Sequence, residues 1–220
     1  MTGKVKVDIT MSLDGFIAGP NQSREHPLGE GAQGLHDWAF ELASFREAHG
    51  ETGGETGTDD EILDEAFRAV GATVMGRHMF GGGEGPWGSD PSFDDPWEGW
   101  WGDDPPYHGP VFVLTHHPRE KVTKEGGTTF TFVTDGIEAA LEQAQAAAGE
   151  KDVLVAGGGD AGQQYLNAGL LDELQIHVVP QLLGGGARLF DNLGADLPEL
   201  EVTRVVESPA VTHLRYRVVK

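Results

Sequence analysis

The run Gly157-Gly158-Gly159-Asp160-Ala161-Gly162 follows the apolar segment Asp152 to Ala156 and leads into a helical pattern. A junction of this kind suits phosphate. Missing side chains let backbone N–H groups approach the oxygens, and the positive end of the following helix favours negative charge. A tight turn requiring φ > 0 accounts for the same glycines. The spacing is not that of a P-loop, because no Lys follows, and it comes late in the chain for a dinucleotide fingerprint. Cationic or titratable groups follow two other strand-like segments: Arg77 after Thr73-Val74-Met75-Gly76, and His116, His117 and Arg119 after Val111 to Thr115. Ligands of open α/β sheets bind outside the carboxyl ends of the strands, so these groups and the triple glycine can surround one polyphosphate. Taken singly, each is an ordinary surface charge. Asp14 is a polar group placed for a substrate or its proton, or a turn residue before Gly15.

Large aromatics form a second signal. Trp87, Trp97, Trp100, Trp101 and Tyr107 fall within residues 81–109, a stretch with no helix or strand period. They can form a lid with flat apolar walls for a planar substrate, or a satellite cluster or subunit contact. Trp38 and His36 can line the same pocket, or be a core Trp and a surface His. His108, His116, His117 and His213 show no i, i+4 pair and no accompanying carboxylate motif, so no metal is expected.

The elements that must position these groups are read from periodicity. Val5, Val7, Ile9 and Met11 alternate with polar residues, giving a first strand. Apolar spacing predicts a helix over 35–49 and a second after a capping pair, Thr58 and Glu61, ended by Gly71. Between them, residues 51–57 are Gly, Glu and Thr only and are expected to be mobile. Strands are predicted at 73–75, 111–115 and 128–134, then a helix between a second capping pair (Asp135, Glu138) and Gly149. A buried strand follows over 152–156, a short helix over 163–168, and strands over 172–180, 200–207 and 211–219. Strands alternating with helices indicate an α/β domain with a largely parallel sheet, closed by antiparallel hairpins. No linker divides the chain, so residues 1–220 are expected to form one domain with insertions near 50–58 and 81–109.

Composition narrows the function. Fifteen Lys plus Arg against 36 Asp plus Glu give a formal charge of −21, which repels nucleic acid and acidic lipid surfaces. No apolar run reaches the roughly 20 residues that span a bilayer. The N-terminal residues show no secretory pattern, so a cytoplasmic location is expected. The absence of Cys excludes disulfides, thiolate metal sites and cysteine nucleophiles. Thirty-three glycines without a fixed period exclude collagen-like and repeat architectures.

Five ordered pieces carry a resemblance: Met11-Ser12-Leu13-Asp14-Gly15-Phe16-Ile17-Ala18, Val74-Met75-Gly76-Arg77, Val113-Leu114-Thr115, Val155-Ala156-Gly157-Gly158-Gly159 and Pro180-Gln181-Leu182-Leu183-Gly184-Gly185. Together they resemble the dihydrofolate reductase superfamily, closest to the reductase domain of bacterial bifunctional deaminase-reductases of riboflavin biosynthesis. The resemblance implies a three-layer fold with a mixed, mostly parallel sheet between helices. It implies an NADPH-dependent reductase that transfers hydride to a small, planar heterocycle or carbonyl compound, and a homodimer, with the strands near 202–206 and 214–219 as the contact. Gly76, Arg77 and His78 would bind cofactor phosphates, and Thr115, His116 and His117 would lie near the adenosine ribose and its 2′-phosphate. Gly157, Gly158, Gly159, Asp160, Ala161 and Gly162 would hold the pyrophosphate, with Ile17 and Ala18 against the nicotinamide. Asp14, Trp38 and Trp87 would face substrate, with Asp14 as the candidate catalytic group. The folate reductases carry an acid on the helix before the Gly-Arg strand, and Asp60, Glu61, Asp64 and Glu65 offer no clear equivalent here. A nucleotide-binding protein without turnover and a flavin- or deazaflavin-dependent reductase are the alternatives.

Overall fold

The computed structural model describes residues 3–220. In chain order the elements are β1 (Val5–Ser12), β2 (Phe16–Ala18), α1 (Asp37–Phe40), α2 (Ala43–Ala48), α3 (Thr58–Ala69), β3 (Val70–Gly76), α4 (Arg77–Phe80), β4 (Pro110–Leu114) and β5 (Val122–Thr123). They continue with β6 (Thr129–Val133), α5 (Ile137–Ala148), β7 (Asp152–Gly157), α6 (Gly159–Asn167), β8 (Glu173–Val179), β9 (Ala187–Arg188), β10 (Glu199–Glu207) and β11 (Thr212–Val219). Nine strands form one sheet in the order β10-β11-β8-β1-β7-β3-β4-β6-β5. The six central strands from β8 to β6 are parallel, and β5, β11 and β10 add antiparallel edges. The mixed sheet, mostly parallel and closed by an antiparallel hairpin, is the architecture the sequence predicts.

Alternation along the strands decides what covers each face. Val5, Val7, Val74, Phe112, Val153 and Val155 meet Ala140, Leu141 and Ala144 of α5 and Ala161, Tyr165 and Leu166 of α6 in one apolar core. Small residues on α5 let the helix sit close to the sheet. Tyr165 is wholly buried, and its hydroxyl donates to the Ile137 carbonyl at 2.8 Å. On the opposite face, α3 and the turns before it cover β1, β8 and β11, and the segment 81–109 covers β3, β4 and β6. Strand β10 is an open edge on which Leu200, Val202 and Val205 are exposed.

Several local expectations are corrected. The helix expected over 35–49 is broken at Leu42, whose backbone is extended. The Ala43 N–H bonds the Glu55 carbonyl and the Glu55 N–H bonds the Glu41 carbonyl. The segment 51–57 is thereby tethered, and its hydrogen bonds take groups that a continuous helix would use. Neither capping pair forms. Helices α3 and α5 start after Gly57 and Gly136, both at positive φ and without a side-chain cap, and Asp60 instead accepts the Ser44 N–H. Gly71 does not end a helix. It lies within β3, where a β-carbon would sit 2.9 Å from the Ala148 carbonyl oxygen. Helix α6 begins at Gly159, not at 163, so three of the candidate glycines and Asp160 belong to a helix and its N-cap. The pairing of β2 with β9 is too short to be read from periodicity.

Candidate functional site

Strands β1, β7 and β3 are neighbours and parallel, so their carboxyl ends, Ser12, Gly157 and Gly76, open on the same side of the sheet. Gly157 has φ 133° and is joined to Gly158 by a cis peptide bond. A β-carbon at Gly158 would touch nothing within 4 Å, so the turn borders open space. At Gly159 it would lie 2.9 Å from the Arg188 carbonyl oxygen and 3.5 Å from Ile17, which forbids any side chain. A β-carbon at Gly76 would lie 3.7 Å from the Gly158 nitrogen, so β3 ends directly against the turn. Of the first N–H groups of α6, those of Ala161 and Gly162 donate to the Gly158 carbonyl, which leaves those of Gly159 and Asp160 without a partner among the described residues. Gly76, Gly157, Gly158, Gly159 and Ile17 therefore meet at one side-chain-poor end of the sheet, with Ala18 on the β2–β9 pair beside it. Gln163 supports the pair by donating to the Arg188 carbonyl at 2.9 Å. Asp160 is exposed, and Ala161 and Gly162 are buried under the turn.

Arg77 leaves this surface toward the aromatic insert. Its guanidinium donates to the Gly81 carbonyl (3.1 Å), the Gly82 carbonyl (3.0 Å) and the Thr115 hydroxyl (3.3 Å). The guanidinium carbon stands 3.1 Å from the centre of the Trp87 ring. Burial, with Arg119 nearby, pushes the Arg77 pKa down to about 10, so it stays charged at neutral pH. Arg119 approaches the same indole at 4.7 Å, and its Nη1 is buried without a hydrogen-bond partner among the described residues. The Thr115 oxygen also accepts the His117 N–H, and the Trp87 N–H donates to the His117 carbonyl. Arg77, Thr115, His117, Arg119 and Trp87 are thus assembled into one cluster. His116 and His78 are exposed beside it, His78 3.8 Å from Glu84.

The remaining aromatics are packed. Trp87, Trp97, Trp101 and Tyr107 lie on Met75, Phe80, Val111, Val113 and Phe130, and Trp97 donates to the Phe80 carbonyl. β-Carbons at Gly81 and Gly82 would lie 2.7 Å from Trp100 and 2.8 Å from Trp97, and both glycines have positive φ. The insert is a satellite core of the sheet, not a free lid.

Asp14 closes a different contact. Its carboxylate accepts the Ser12 hydroxyl (2.7 Å) and the N–H groups of Leu183 (3.1 Å) and Gly184 (2.8 Å). The Ser12 bond, aided by the two amides, holds its pKa at about 2. A carboxylate in that state has no proton to deliver at neutral pH, and its bonds join the turn after β1 to the loop after β8. This geometry favours the turn role over the catalytic one.

Trp38 is separate from Trp87 and belongs to a constellation that no motif spacing reveals. Its indole N–H donates to the Thr10 hydroxyl at 3.2 Å, and its ring lies 4.8 Å from that of His177 and 5.3 Å from that of His213. His177 Nε2 is 2.7 Å from Asp8 Oδ1, the two Nδ1 atoms are 2.6 Å apart, and His213 Nε2 is 2.9 Å from Asp59 Oδ1. The α3 acid that meets these histidines is Asp59, one residue ahead of the four weighed from the sequence. Polar residues at every second position of three strands (Lys6, Asp8, Thr10; Gln175, His177; His213, Arg215) are the signal that marks this face.

Residues 3–214 match the family of the RibD C-terminal domain. Among solved structures, the chain is similar to a candidate riboflavin biosynthesis protein from Shewanella sp. PV-4, at 23% identity and a TM-score of 0.62, covering 99% of both chains. It is similar to dihydrofolate reductase from Enterococcus faecalis, determined with NADP(H), at 14% identity and a TM-score of 0.52, covering 100% of this chain and 99% of that one. A deaminase and reductase of diaminohydroxyphosphoribosylaminopyrimidine and 5-amino-6-(5-phosphoribosylamino)uracil from Thermotoga maritima aligns at 13% identity and a TM-score of 0.56, over 99% of this chain and 57% of that one. No curated protein matches. At these identities the structural likenesses speak for the fold. Among the described residues, no helix is long and apolar enough to cross a membrane.

Proposed function

The chain belongs to the RibD C-terminal domain family, and from that premise we propose that it is an NADPH-dependent reductase of a small, planar heterocycle or carbonyl compound. The observation that carries the cofactor assignment is the bare turn Gly157-Gly158-Gly159 set between the ends of β1 and β3 and opening α6. The residues present fit a dinucleotide. Open space beside Gly158 and the unpartnered amides of Gly159 and Asp160 suit a pyrophosphate. The unpartnered Nη1 of Arg119, together with the charge of Arg77, suits the further phosphate that distinguishes NADPH from NADH.

In this reading Gly76, Arg77 and His78 hold cofactor phosphates from the β3 side, and Thr115, His116 and His117 face the adenosine ribose and its 2′-phosphate. Gly157 to Gly162, including Asp160 and Ala161, cradle the pyrophosphate. Ile17 and Ala18 form the apolar surface for the nicotinamide, which supplies the hydride when bound. The chain itself aligns the two reactants and excludes water. Trp38 offers the flat wall for substrate beside the carboxyl end of β1, while Trp87 holds Arg77 in place. Asp14 fixes the loop that borders the same opening. Pairing of two copies through the exposed Leu200, Val202 and Val205 of β10 completes the proposal, and a light-scattering mass near that of one chain would oppose it.

Thermal shift with NADPH and NADH tests the cofactor assignment, since a ligand that binds only the native state raises Tm with its affinity. NADPH is expected to give the larger shift. Arg77→Ala, compared with its own ligand-free Tm, is expected to weaken NADPH by about 10- to 100-fold, the range of one lost charge-assisted hydrogen bond. An unchanged shift would remove Arg77 from the site. NADPH binding without oxidation across a broad panel of heterocycles and carbonyl compounds would leave a nucleotide-binding protein in place of the enzyme.

A further inference from the structure

The chain Asp8–His177–His213–Asp59 contains three hydrogen bonds, of 2.7, 2.6 and 2.9 Å. Each hydrogen bond needs one proton. Two neutral imidazoles and two ionised carboxylates carry two between them. If both Nε2 atoms donate to their carboxylates, both Nδ1 atoms present lone pairs to each other at 2.6 Å, which is repulsive. A third proton removes the conflict by placing N–H between the two Nδ1 atoms. A metal does not fit the gap: Zn–N bonds of about 2.0–2.1 Å at a tetrahedral angle put two donors about 3.3 Å apart.

Charged and titratable groups face the chain from the neighbouring strands and helices. Burial pushes the Asp8 carboxyl up, but His177, Lys6 and Arg215 outweigh it and hold Asp8 below the ordinary range. Burial pushes His213 down against the pull of Asp59. His36, before α1, lies within electrostatic range of His177, and its own charged form is disfavoured by burial. Arg215 is turned partly away by Glu65 of α3 and Glu173 of β8. Both histidine side chains are almost fully enclosed, at 2% and 1% exposure, under Trp38 and α3. Asp59 reaches the surface, in a groove lined by Leu42, Glu55, Gly57, Asp60 and Pro209.

We propose that this four-residue chain is a buried one-proton store, filled and emptied at its Asp59 end: the His213 Nε2 proton leaves through the Asp59 carboxylate to solvent while the shared proton settles on His213 Nδ1, and the reverse transfer refills it.

The test uses the full chain labelled with nitrogen-15 at histidine. One far-downfield proton coupled to the Nδ1 atoms of both His177 and His213 is expected at neutral pH, disappearing as the pH rises. Two unprotonated Nδ1 atoms at neutral pH, or two separately protonated ones, would overturn the store. Asp59→Asn keeps an acceptor for His213 and removes one counter-charge, so the pH at which the shared proton is lost should fall by about one unit. The same midpoint in the original chain and in Asp59→Asn would overturn the assignment of Asp59 as the end at which the store fills.

Discussion

The three strands β1, β8 and β11 have two faces that are equally dry and differ in everything else. Toward α5, α6 and the β2–β9 pair stand Val5, Val7, Leu174, Ile176 and Val218, all at most 5% exposed. Toward α3 stand Lys6, Thr10, Gln175, His177 and His213, exposed to the same small extent, with Asp8 and Arg215 beside them. The first face is stabilised by removing apolar area from water, which tolerates small displacements. The second depends on each buried polar group meeting a partner, because an unpaired one costs more than a made bond returns. Equal burial therefore hides unequal function: one face fixes the sheet, and the other can hold an extra proton.

The largest way to probe this difference is Leu174→Ala, which removes buried apolar volume and should cost about 2–5 kcal/mol in urea unfolding. Crossing to the polar face through its neighbour's strand, His213→Leu leaves His177 Nδ1 and Asp59 without their partner. It should cost about 1–3 kcal/mol, measured the same way. Acid should then separate the faces without mutation. Asp8 and Glu65 are held below their ordinary values of 3.8 and 4.5, and Asp14 is held at about 2. Groups with depressed folded pKa stabilise fully above their unfolded values and lose that contribution as pH falls through the folded ones. Stability should accordingly decline from about pH 4.5 toward pH 2, and Leu174→Ala should show the same decline from a lower start. The smallest effect is expected for Glu65→Ala, whose half-exposed pairs with Arg204 and Arg215 contribute about 0.2–1 kcal/mol. A loss as large as that of Leu174→Ala would erase the distinction between the faces.

The glycine turn was legible in the sequence because its physics is local: a strand, bare amides and a helix start lie within ten residues. The strands were legible too, since alternation reports burial directly. What was not legible depended on distance along the chain. His177 and His213 are 36 residues apart, and their partners Asp8 and Asp59 lie far upstream. Only the order β11-β8-β1 makes them neighbours, and no spacing rule encodes that order. Arg77 was placed at the right strand end, but its engagement with Gly81, Gly82 and Trp87 follows from the packing of the insert. The capping pairs failed for another reason. Gly57 and Gly136 start the helices themselves, leaving Thr58 within α3 and Asp135 ahead of the Gly136 cap.

The placement of β1 between β7 and β8 has a consequence for synthesis on the ribosome. The first strand made finds its hydrogen-bonded partners only in residues 153–155 and 173–179. Throughout that interval β1 is an unpaired nascent strand with two free edges, a template for joining other chains. Lys6 and Asp8, spaced along it, place charge on the segment during the wait, and the finished protein then seats the same two side chains opposite Asp152 and His177.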